Sequence, residues 1–132
     1  MTANVTALSP ALDQSADRLR DTLQALSDTV RHGLESGAAP PVQASRWESA
    51  SRLLLRDLDQ VQSAREQGRA GNAEPLGRLG ERLCFLARDM DGFDLNFAGP
   101  EIADRLENDR RFVVLAAWQV KSAAQAPRED EP

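Results

Sequence analysis

Leu76-Gly77-Arg78-Leu79-Gly80-Glu81-Arg82-Leu83-Cys84-Phe85-Leu86-Ala87-Arg88-Asp89-Met90 opens the stretch that decides the fold, which runs on to Val120. Leu76, Leu79, Leu83, Leu86 and Met90 follow one another at spacings of 3, 4, 3 and 4. At about 3.6 residues per turn this draws one apolar stripe down one face of a helix. Asp91-Gly92-Phe93-Asp94-Leu95-Asn96-Phe97-Ala98-Gly99 breaks the period and reads as an acidic loop carrying three large apolar side chains. Pro100-Glu101 restarts a helix, with proline at its first position and a carboxylate near the positive end of the helix dipole. Ile102, Leu106, Val113, Ala117 and Val120 supply its inner face. The run Phe112 to Trp118 is apolar all round, and a buried strand is the alternative. A lone strand has no partner in this chain, so helix is predicted.

Two glycines interrupt the leucine helix off its stripe, Gly77 and Gly80. Each costs about 1 kcal/mol relative to alanine in a helix interior. Either the helix starts late or another backbone approaches closely there, and close approach is favoured.

Upstream, Leu8-Ser9-Pro10 is a helix start with serine as N-cap. Leu12, Ala16, Leu19, Leu23, Leu26 and Val30 then repeat at 4, 3, 4, 3 and 4, the cleanest period in the chain. Such a heptad can be a coiled-coil seam but is more often one wall of a bundle. His32-Gly33 and Gly37 mark its end. A second helix is expected from Pro41 or a little later, with Ser45-Arg46-Trp47-Glu48 as a capping box. Trp47, Ala50, Leu54, Leu58 and Val61 form its stripe. Leu53-Leu54-Leu55 in a row wraps more than one face, which predicts that this helix is the central one. It ends by Gly68, and Asn72 is a plausible N-cap for the leucine helix.

The chain of 132 residues is 41% hydrophobic and 28% charged, ordinary for a folded domain rather than a disordered one. Its length suffices to bury roughly two-thirds of the unfolded surface. Tyrosine is absent and aromatics reach only 5%, a bias toward helices over sheets. The net charge of -5, from 21 acidic and 16 basic residues, argues against a phosphate backbone as partner. A basic protein is easier to accommodate. The N-terminus lacks a basic n-region and an apolar h-region, and no apolar run reaches membrane-spanning length, which predicts a cytoplasmic protein.

Candidate chemistry is sparse. Cys84 is the one cysteine, beside the apolar stripe, and reads as a small buried hydrophobe. His32 is the one histidine, placed at a helix end, and no Gly-x-Ser-x-Gly elbow accompanies it. One Cys and one His cannot build a zinc site. Asp89-Met90-Asp91-Gly92-Phe93-Asp94 has a superficial likeness to a calcium loop. Its glycine falls at position four rather than six, and Pro100 stands where the twelfth-position glutamate is needed. Phe93, Leu95 and Phe97 carry more information, because apolar side chains on a loop either fold under or meet a partner. Asp89, Asp91, Asp94, Glu101 and Asp104 give them a negative rim suited to an arginine- or lysine-rich target.

This pattern resembles the small acidic helical immunity proteins of type VI secretion that guard against NAD(P)-glycohydrolase-type effectors. The pieces that match are the proline-led helix from Pro41, the leucine-rich helix Leu76 to Met90, the acidic turn with Phe93 or Phe97, and Pro100-Glu101-Ile102 with Leu106. The resemblance covers residues 41 to 115, and the chain departs from it by a longer acidic loop, a longer final helix and a polar tail. It implies a protein that binds its toxin tightly and occludes an active site.

The sequence thus predicts an all-α, four-helix bundle-like single domain over residues 1–124, followed by a disordered acidic tail, 125–132. The expected function is a non-enzymatic inhibitor, with Asp89, Asp91, Phe93, Asp94, Leu95, Phe97, Glu101 and Asp104 as its partner-binding set. No cofactor, metal, nucleic acid or membrane is expected. The alternative is a secretion chaperone or anti-activator acting as a homodimer through the first-helix heptad.

Overall fold

Pro10–Glu35 (α1), Pro41–Arg69 (α2), Glu74–Asp89 (α3) and Pro100–Gln125 (α4) make up nearly all of the described chain. The structure, a computed structural model, describes residues 10–35, 40–90 and 98–125. Among these there is no strand, so the apolar run Phe112 to Trp118 is helical as expected. The helices form an all-α bundle in which α1 meets α2, α2 meets α3, α3 meets α4, and α4 closes the ring on α1.

Each neighbouring pair runs antiparallel. Asp13 and Asp17 near the start of α1 face Arg65 near the end of α2. Asp57 of α2 pairs with Arg82 of α3. Gly77 lies against Ala124, and Cys84 against Val114, across the α3–α4 seam. Thr29 late in α1 donates a hydrogen bond to Asp109 of α4 at 2.5 Å.

Every residue of the α1 stripe, Leu12, Ala16, Leu19, Leu23, Leu26 and Val30, is buried. At about 1.5–3 kcal/mol for each large aliphatic side chain removed from water, this stripe alone is a major part of the folding drive. Leu76, Leu79, Leu83 and Met90 meet it from α3, and Leu106, Val113, Ala117 and Val120 from α4. The heptad of α1 is therefore used inside the chain's own core.

Two expectations about α2 need correction. The helix is not central: α4 packs extensively on both α3 and α1, whereas α2 sits less closely between α1 and α3. Successive helical residues turn by about 100°, so of Leu53, Leu54 and Leu55 only Leu54 is buried and its neighbours emerge on either side. Nor does a capping box form. The helix begins at Pro41, with no side-chain capping bond, and its first backbone bond runs from Ala44 N–H to Pro40 C=O at 2.8 Å. Two consecutive prolines set the start ahead of Ser45. Nor is Asn72 the N-cap of α3: Ala73 holds that position without a side-chain capping bond, and the Asn72 side-chain oxygen only accepts from Glu74 N–H at 3.4 Å.

The glycines of α3 answer to close approach. A Cβ on Gly80 would stand 2.7 Å from the Ala117 carbonyl oxygen and 3.1 Å from the Lys121 nitrogen. One on Gly77 would stand 3.3 Å from the Ala124 Cβ. The first half of α3 thus touches the backbone of α4. Gly99, with φ of 105°, turns the chain into Pro100 through a conformation that side chains with a Cβ resist.

Candidate functional site

Of the expected partner-binding set, Asp91, Phe93, Asp94, Leu95 and Phe97 lie outside the described residues. Asp89 is exposed at the last position of α3, and Glu101 and Asp104 are exposed in the opening turns of α4. These three carboxylates flank the α3–α4 connection. Gln125 closes α4, and the remainder of the expected tail also lies outside the described residues.

A different surface stands out among the described side chains. The bundle fills its interior, yet Phe85, Phe112, Leu115 and Trp118 remain half exposed or more, at 60%, 57%, 55% and 55%. On α4 the three apolar residues follow at intervals of three, crossing the face opposite Val113, Ala117 and Val120. The inner half of the all-apolar run forms core, and the outer half faces solvent.

Between the end of α3 and the middle of α4 this face forms an open cleft of about 370 Å³, lined by Arg88, Arg110, Arg111, Val114, Leu115 and Trp118. Glu107 holds two of the arginines in place. It accepts from Arg110 Nη2 at 2.9 Å and from Arg111 Nε at 3.0 Å. The Arg110 hydrogen bond is the main reason its carboxyl titrates below the usual carboxylate range. Arg110 also donates through Nη1 to the Ala87 carbonyl at 3.4 Å, tying α4 to the last turn of α3. Arg88 is exposed on that turn. The result is an apolar floor with guanidinium groups placed along its edge.

Beneath the cleft, Cys84 donates its S–H to the Val114 carbonyl at 3.6 Å and is buried. Burial pushes its thiol above the ordinary cysteine value, so the reactive thiolate is disfavoured. His32 is exposed in the last turn of α1. A second cleft, about 270 Å³ between α2 and α3, is lined in part by Gln60, Gln67, Arg78 and Arg82. It presents amides and cations but no nucleophile beside a base. Among the described residues no cluster of three His, Cys, Asp or Glu side chains is arranged to hold a metal ion. No described helix is long and apolar enough to cross a membrane.

The sequence did carry a signal for the α3–α4 face. Once Val113, Ala117 and Val120 are assigned inward, Phe112, Leu115 and Trp118 must point elsewhere, and no other described helix covers them. The arginines carry no such signal, because Arg88 and Arg110 come together only through the α3–α4 packing. Comparison with protein-family profiles, with curated proteins and with solved structures finds no match to the chain.

Proposed function

We propose that this protein is a non-enzymatic binding protein that covers a surface of a partner protein, as an immunity protein occludes the active site of a toxin. The observation that carries this reading is the exposed face of α3 and α4, with Phe85, Phe112, Leu115 and Trp118 beside Arg88, Arg110 and Arg111. Tryptophan and arginine dominate binding energy at protein interfaces, and large apolar side chains ringed by polar ones mark such surfaces. Asp89, Glu101 and Asp104, exposed near the α3–α4 connection, extend the surface with negative charge. Steric occlusion is the mechanism. The alternative of a homodimeric chaperone built on the α1 heptad loses its support, since that stripe is buried within the chain.

The test is capture of a partner from source-cell lysate by the tagged protein, followed by mass spectrometry, with a Leu115→Ser/Trp118→Ser variant alongside. One toxic enzyme domain at equal stoichiometry, lost with the variant while its circular dichroism stays native, is the expected outcome. Capture unchanged by that variant but lost with Phe93→Ser/Asp94→Asn moves the interface to the 91–97 loop. A transcription factor or a non-toxic secreted substrate in the eluate replaces inhibition with regulation or chaperoning.

A further inference from the structure

The cleft also specifies what kind of partner segment it takes. We propose that the α3–α4 cleft receives an acidic amphipathic helix, whose apolar residues seat on Val114, Leu115 and Trp118 and whose carboxylates meet Arg88 and Arg111. This rests on the protein-binding reading above and adds the chemistry of the contact. The charge is the first ground. On a chain of net charge -5, this apolar surface is lined by three arginines, of which Arg110 and Arg111 share the single carboxylate of Glu107, so cations outnumber carboxylates here, opposite to the molecule as a whole. Arginine forks donate to carboxylates in bidentate geometry, and Glu107 accepts from Arg111 only at Nε, so the two Nη groups of this exposed side chain are not engaged by that bond.

Shape is the second ground. The cleft lies on α4 where Arg88 of the last turn of α3 borders it, and both elements are helices with their backbone groups bonded internally, so it offers no sheet edge for an extended peptide to join. A helix laid in such a groove reads it through anchors at i, i+3 or i+4, and i+7. Leu115 and Trp118, three apart on α4 with Val114 beside them, give such anchors an apolar surface to seat on. A single-stranded nucleic acid would also stack on Trp118 and Phe85. It would have to approach a strongly acidic molecule, with Asp89, Glu101 and Asp104 near one end of the same face. A second copy would bring Arg88, Arg110 and Arg111 against another arginine-lined cleft or against an acidic surface elsewhere on the chain.

The test uses the full chain and two labelled synthetic helical peptides with identical leucine stripes, one flanked by glutamates and the other by lysines, read by fluorescence anisotropy. The glutamate peptide is expected to bind, to weaken in about 0.5 M salt, and to lose at least about tenfold in affinity to an Arg88→Glu/Arg111→Glu variant. That variant changes exposed side chains and is checked for a native melting temperature. Equal or tighter binding of the lysine peptide overturns the acidic preference while leaving the apolar face as an interface. Failure of both peptides to bind, with partner capture still dependent on Leu115 and Trp118, overturns the helical occupant alone. If capture is also indifferent to Leu115 and Trp118, the protein-binding reading of the face falls with it. A dimer in sedimentation that Trp118→Ser converts to monomer assigns the cleft to a second copy, and tighter binding of oligo-dT assigns it to nucleic acid; either result overturns the proposal.

Discussion

Gly80 shows how a single residue sets the distance between two helices. Its missing Cβ lets the Ala117 carbonyl approach to where that atom would stand, at 2.7 Å. Gly80→Ala gains about 1 kcal/mol of helix propensity and must push the α4 backbone away, a repacking that costs about 1–3 kcal/mol and usually more than the gain. Chemical denaturation should therefore find the variant destabilised, and a midpoint equal to or above that of the native chain would show that the seam can open without cost. Gly77 is the control, because a Cβ there meets only the Ala124 Cβ at 3.3 Å. Gly77→Ala is expected to leave stability within about 1 kcal/mol of native, with propensity and contact nearly balanced.

At the scale of helices, ion pairs lock the register that the apolar stripes leave loose. Asp57 is 1% exposed and holds Arg82 of α3 through a 2.7 Å contact to Nη2, with Arg56 Nε at 3.7 Å. Removing Arg82 leaves that buried carboxylate with the longer contact alone, whereas replacing Asp57 as well removes the charge that needs a partner. Arg82→Leu is expected to cost about 3 kcal/mol, and Asp57→Leu/Arg82→Leu distinctly less, a non-additivity measurable by urea denaturation. With Asp57→Leu measured as the second single variant, a double-variant loss equal to the sum of the two single losses would show that the pair is not coupled. Arg65 does the same work between α2 and α1. It is nearly buried, and donates to Asp13 at 2.8 Å and Asp17 at 2.5 Å.

For the whole molecule, Asp13 and Glu107 contribute to the response to acid. The hydrogen bond from Arg65 holds Asp13 below its ordinary value, and that from Arg110 does the same for Glu107. A carboxyl depressed in the folded state stabilises above its unfolded value, near 4, and loses that contribution as pH falls through the lower folded value. The melting temperature should accordingly hold steady from neutral pH to about pH 5 and fall below about pH 4. Asp13→Asn should lower the plateau and shallow the fall. An acid limb as steep in the variant as in the native chain would place the sensitive groups elsewhere. Both carboxyls remain partly solvent-exposed, so the change in slope is expected to be modest.

The sequence by itself determined the helical class, the proline-led starts of α1, α2 and α4, and the core stripes of α1, α3 and α4. The reason is local: a 3.6-residue period and a proline's missing N–H act within one or two turns, and neighbouring residues suffice to express them. Even the close approach at Gly77 and Gly80 was legible, because glycine inside a helix asks for a cause. The tertiary structure alone decided that α4 rather than α2 has the most extensive packing, since burial of Leu53 and Leu55 depends on what stands opposite them. It alone assembled Arg88 from α3 with Arg110, Arg111, Leu115 and Trp118 from α4 into one cleft. Periodicity assigns a residue to a face of its own helix, and only the packing of helices on one another determines which faces meet, which stay open, and what charge collects between them.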